Sequence, residues 1–197
     1  MKLNDFSIIV SFSAAGIATS LILIFLPNIE TITYTVFLVG FLYGKKNGIL
    51  TGITISIGWE IVATMIMGGF SGIIFPFKII FWAFTGFLGG VLNNKHFKLE
   101  KIIEFASIGA FLGLMYDLWV TVGIALMFLN QNAFWVIFIS KLIFGAPFTV
   151  AHVIGNLILF SSMPMVIRAI IISENRIDTS QIEKMKKEQK NYEDTTR

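Results

Sequence analysis

The stretch IIEFASIGAFLGLMYDLWVTVGIALMFL, Ile102 to Leu129, carries only two charged residues, Glu104 and Asp117. A hydrocarbon core of about 30 Å is crossed by about 20 apolar helical residues, so this segment is long enough to span a bilayer. Working outward, five further apolar runs appear: Phe6 to Leu26, Ile29 to Tyr43, Gly48 to Met67, Ile73 to Leu92 and Phe134 to Ile167. The whole chain is 55% hydrophobic and 14% charged with a mean hydropathy of +0.79, outside the range of ordinary soluble domains. The expected fold is therefore all-α: an integral membrane bundle of six transmembrane helices filling residues 1–170, followed by a polar cytoplasmic tail over 171–197.

Two runs depart from the ideal length. The second is short and must be tilted poorly, thinned around, or shielded by its neighbours. The sixth is long and holds Pro147, which removes a backbone donor and favours a kink. The first flows from Lys2 and Asp5 toward Pro27 without a small-residue cleavage site, so it is expected to remain as a helix and not to be removed as a signal.

Orientation is read from Lys and Arg. Of the fifteen, Lys2, Lys45, Lys46, Lys95, Lys98, Lys101, Arg168, Arg176, Lys184, Lys186, Lys187, Lys190 and Arg197 fall at the N-terminus, in the second and fourth connections, or in the tail. With six alternating helices all of these lie on one side. The connections at Pro27-Asn28-Ile29-Glu30, Gly68-Gly69-Phe70-Ser71-Gly72 and Asn130-Gln131-Asn132 carry no Lys or Arg. The positive-inside rule then places both termini in the cytoplasm of a multi-pass plasma-membrane protein. The charge of +3 is topological and implies no nucleic-acid partner. The tail alternates acidic and basic residues without an apolar stripe, as a solvated extension does.

Four ionisable residues remain inside the apolar runs: Glu60, Lys78, Asp117 and Lys141. Each costs on the order of 2.5–3.5 kcal/mol at a helix centre on insertion scales, so such groups face a bundle interior, a partner or a water-filled cavity. With the assigned topology all four can border one cavity open to the outside. Helical spacing groups them with Ser56 and Thr64, with Trp82, with Gly113 and Thr121, and with Gly145, Phe148, Thr149, His152 and Asn156. Trp59, Trp82, Trp119 and Trp135, with Tyr116, offer flat surfaces for a ring. The expected substrate contacts are Glu60, Lys78, Trp82, Asp117, Trp119 and Lys141.

Plainer roles compete for the same residues. Lys78 and Lys141 can snorkel to the boundary, Trp135 suits an interfacial belt, and Glu60 and Asp117 can pair with the lysines to fix helix register. His152 with Asn156 suits an interhelical hydrogen bond better than a metal site, since no carboxylate stands at ligand spacing. No metal or cofactor is expected. The absence of cysteine removes disulfides and thiolate chemistry. No phosphate-cradling loop, His-Glu-x-x-His pair or Gly-x-Ser-x-Gly elbow is present, so no enzymatic activity is expected. Gly86, Gly89 and Gly90 read as helix-packing positions.

Ala14-x-x-x-Ala18 on the first helix, Phe41-Leu42-Tyr43-Gly44-Lys45-Lys46-Asn47-Gly48 after the second, Tyr116-Asp117-Leu118-Trp119, and Gly145-Ala146-Pro147-Phe148 with His152 and Asn156 together resemble the substrate-specific subunit of an energy-coupling factor transporter. The resemblance covers residues 1 to about 170. It implies capture of a vitamin or related micronutrient from outside, docking on a membrane coupling subunit driven by two cytoplasmic ATPases, and delivery by toppling. It also implies that Ala14, Ala15, Gly16 and Ala18 form the docking face. Two other classes stay open: a structural membrane protein of the shape-determining type, whose buried charges would satisfy one another, and a stand-alone secondary transporter, which commonly shows an internal repeat not visible here.

Overall fold

The computed structural model describes residues 3–24, 31–68, 71–93, 101–129 and 133–173. They form six helices: α1 (Leu3–Ile22), α2 (Thr31–Tyr43), α3 (Lys45–Met67), α4 (Ile74–Val91), α5 (Ile102–Leu126) and α6 (Phe134–Ser161). No strand occurs among the described residues. Five of these helical stretches are long and apolar enough to cross a membrane, and α2 is a shorter apolar helix. The architecture is that of a multi-pass membrane helix bundle.

The short helix sits at the centre. α2 touches every other helix, and nine of its residues are buried, among them Ile32, Val36, Phe37 and Val39. A helix so enclosed by protein has little need to match the bilayer thickness, in keeping with the short run being shielded by its neighbours. Phe37 and Phe41 carry α2 onto the α5–α6 pair: Phe105 lies edge-on to both, at 6.2 and 5.3 Å, and Phe160 is 5.4 Å from Phe37. At its N-terminus, the Thr31 hydroxyl meets those of Thr19 (2.8 Å) and Ser20 (2.7 Å) on α1.

Two ladders of small residues organise the rest. Lys45, Gly48 and Gly52 of α3 meet Gly90, Gly86 and Trp82 of α4 in reversed order, so these helices run antiparallel with backbones in direct contact. Gly40 of α2 closes on Gly86 at the same junction, and Gly44, at φ 90°, makes the sharp turn from α2 into α3 that only glycine adopts readily. In the second ladder, Gly109, Gly113 and Asp117 of α5 face Phe160, Asn156 and His152 of α6. Without a hydrophobic drive between helices in lipid, close backbone approach at small residues supplies much of the packing. Gly86, Gly89 and Gly90 occupy the packing positions expected of them.

The long sixth run divides. α6 ends at Ser161, a turn follows at Ser162, and residues 163–173 are helical again. Pro164 lacks the amide that would continue the ladder, and the Ser161 and Ser162 hydroxyls donate to the carbonyls of Ile158 (2.6 Å) and Leu159 (2.7 Å). Helix is present as far as residue 173. The remainder of the tail, 174–197, lies outside the described residues, as do the Pro27–Glu30 and Asn130–Asn132 connections, Gly69 and Phe70, and most of the basic residues used for orientation, including Lys2, Lys95 and Lys98.

Candidate functional site

The intramembrane charges separate into two groups, each held within one helix pair. On α3 and α4, Glu60 is almost fully buried and receives the Ser71 backbone N–H at Oε1, while the Ser71 hydroxyl donates to Oε2 at 2.9 Å. Lys78 Nζ completes the cluster, 3.1 Å from the same Oε2 and 2.6 Å from Ser71 Oγ. Both carboxylate oxygens are engaged. A buried ion pair repays its desolvation only when further hydrogen bonds saturate it, and Ser71 provides them. The cluster ties the α3–α4 connection down onto the helices it joins. Glu60 also borders an otherwise mostly apolar groove of about 390 Å³ with Ile57, Thr64 and Phe75.

On α5 and α6, Asp117 Oδ1 lies 3.0 Å from His152 Nδ1. Its Oδ2 receives no hydrogen bond from the described residues. His152 is buried and meets Tyr116 edge-on at 5.5 Å, and Tyr116 in turn stacks on Trp82 at 5.8 Å. Trp82 is fully buried and donates its indole N–H to Thr33 Oγ1 of α2 at 3.3 Å. It thus stands behind the Asp117–His152 pair as core, not as an exposed ring surface.

Beyond His152 the two helices enclose an open groove. Asp117, Val120 and Thr121 form its α5 wall and Lys141, Leu142, Gly145, Phe148 and Thr149 its α6 wall, around about 180 Å³. No residue of α6 before His152 is buried by the described residues, and this half of the helix contains Pro147. Lys141 is exposed and makes no ion pair among the described residues.

The four charges expected to border one cavity thus fall, among the described residues, on two helix pairs. Glu60 and Lys78 saturate each other, whereas Asp117 and Lys141 share a groove. Trp119, two residues past Asp117, is rotated by roughly 200° from it at 3.6 residues per turn. It donates to the Phe77 carbonyl at 2.9 Å and lines a separate apolar groove of about 380 Å³ with Ile80, Phe84 and Phe111. On α1, Ala14, Ala15 and Ala18 are exposed. Gly16 departs from the expected face: it is buried, and a Cβ there would meet Ile55 and Thr35. It seats α1 on α2 and α3.

One participant and one pairing were not legible in the sequence. Ser71 was hidden in a glycine-rich connection, although it is the one hydroxyl in Gly68-Gly69-Phe70-Ser71-Gly72. His152 was visible, but its partner was not, because Asp117 lies 35 positions away. No family model, curated protein or solved structure matches the chain.

Proposed function

We propose that this chain is the substrate-binding subunit of an energy-coupling factor uptake transporter. In this reading it is a plasma-membrane protein with both termini in the cytoplasm. It captures a vitamin or related micronutrient from outside and delivers it inward with a membrane coupling subunit and two ATPases. The observation that carries the proposal is the polar groove of Asp117, Thr121, Lys141 and Thr149 within helices of membrane-crossing length. An unpaired ammonium and a carboxylate in such a place are costly, and a solute-accessible site explains their presence. Under the proposed orientation the groove lies toward the outer ends of α5 and α6, with Asp117 and Lys141 each about two turns or somewhat more from Leu126 and Phe134.

The exposed Ala14, Ala15 and Ala18 supply a smooth surface on α1 against which a partner helix can pack closely. Gly16 supports that face from behind. Substituting Ala14 and Ala18 by leucine is expected to abolish transport in the assembled complex while leaving solute binding by the isolated chain within about twofold of wild type. Retained transport in the double variant would remove the docking role.

One observation favours the scaffold alternative. The Glu60–Ser71–Lys78 cluster is self-satisfied, as a purely structural protein would have it. The Asp117–Lys141 groove does not share that property, and for this reason the receptor reading is preferred.

A further inference from the structure

The acidic and basic side chains that stand outside the Glu60–Lys78 ion pair define the ligand. We propose that the α5–α6 groove takes a small zwitterion, an ammonium-bearing carboxylate of amino-acid size, its carboxylate on Lys141 Nζ and its ammonium toward Asp117. This rests on the reading of the chain as a solute receptor and narrows the substrate class.

Glu60 and Lys78 cancel within 3.1 Å and, with Ser71, offer nothing further. The groove presents the remaining carboxylate and ammonium on facing walls, one on α5 and one on α6. They do not meet each other. Asp117 holds His152 through Oδ1 and buries Oδ2, yet its side chain is 24% exposed at the groove, and Lys141 forms no ion pair among the described residues. A simple anion would satisfy Lys141 but bring its charge toward the Asp117 carboxylate, and a simple cation would do the reverse. Only a solute carrying both signs relieves both walls, because opposite charges attract and like charges repel strongly at short range in a partly dehydrated site. Thr121, one turn from Asp117, and Thr149 add neutral hydroxyls along the same walls. The space between the walls, about 180 Å³, is enough to seat a solute of amino-acid size.

Gly145 supplies a test that leaves the charges alone. It lines the groove, and a Cβ built there meets nothing within 4 Å. Gly145→Leu should therefore fold normally and fill the space a ligand needs.

The experiment is calorimetric titration of the full chain in lipid nanodiscs against the α-amino acids, β-alanine, 4-aminobutanoate and a panel of vitamins. The tightest amino acid is then compared with its deaminated and decarboxylated analogues. The proposal expects an amino acid to bind, each singly charged analogue to bind at least tenfold more weakly, and Lys141→Gln and Asp117→Asn each to weaken binding at least tenfold. Gly145→Leu should lose binding with its melting temperature unchanged. A vitamin that is not a zwitterion, binding in a manner lost in Gly145→Leu, would overturn the substrate class and leave the receptor reading standing. An amino acid whose binding survives Gly145→Leu would overturn the site. A folded wild-type protein that binds no member of either panel would overturn both the class and the receptor reading.

Discussion

Replacing Glu60 with alanine is expected to destabilise the folded protein by on the order of 3–5 kcal/mol, the usual cost of leaving one member of a buried ion pair unpaired. The Glu60 and Lys78 side chains are 4% and 15% exposed, so solvent does little to screen the loss. Alanine at 60 strips Lys78 of its counter-charge and the Ser71 amide and hydroxyl of their acceptor in a single step. An ammonium abandoned beside apolar helices accounts for most of the cost, with the unmade hydrogen bonds adding to it. Removing the charge from both sides isolates the effect of the stranded ammonium. The Glu60→Met, Lys78→Met double variant is expected to recover most of the stability, since two apolar side chains leave no buried charge uncompensated. Equilibrium unfolding in mixed micelles measures both. A Glu60→Ala protein as stable as wild type but defective in solute binding would instead make Glu60 a ligand group and return it to the role its position in the sequence suggested.

The second large effect is steric. Gly86→Ala is expected to cost about 1–3 kcal/mol, the range for forcing extra atoms into a filled interior. Its Cβ would fall on the Gly48 backbone, while Gly40 and Gly48 already press on the Gly86 carbonyl from α2 and α3. Three helices meet there through main-chain atoms, which cannot step aside as a flexible side chain can, so the helices themselves must separate. Gly145→Ala provides the contrast. With open space around it and a helix-propensity gain of up to about 1 kcal/mol over glycine, it is expected to hold or slightly raise the melting temperature. Equal losses at the two positions would mean that glycine acts here through backbone flexibility and not through helix contact.

The helices were legible because lipid imposes a length and expels charge: apolar runs of about 20 residues bounded by charged gaps have few other solutions. What could not be read was which helix each polar face meets. A period of 3.6 residues places Glu60 beside Ser56 and Thr64 on α3, but nothing local says that its partners are Lys78 and Ser71, 18 and 11 positions on. Likewise Asp117 and Lys141 could be assigned to a polar groove, while the more intimate partner of Asp117 is His152, set by the four-residue register of Gly109, Gly113 and Asp117 against α6. Trp82 and Trp119 show the same limit from the apolar side. Both stand near charges in sequence, yet one is core beneath Tyr116 and the other is turned toward α4. The end of α6 escaped for a different reason, since Pro164 and two serines interrupt it without interrupting the apolar run.

Mass spectrometry of small molecules that co-purify with the full chain, set beside an Asp117→Ala, Lys141→Ala double variant, decides whether the α5–α6 groove is a solute site. The expected result is a compound present near one equivalent in the wild-type protein and absent from a variant that remains folded. A compound retained equally by both, or a wild-type protein that is reproducibly empty and takes up nothing from the amino-acid and vitamin panels, would contradict it.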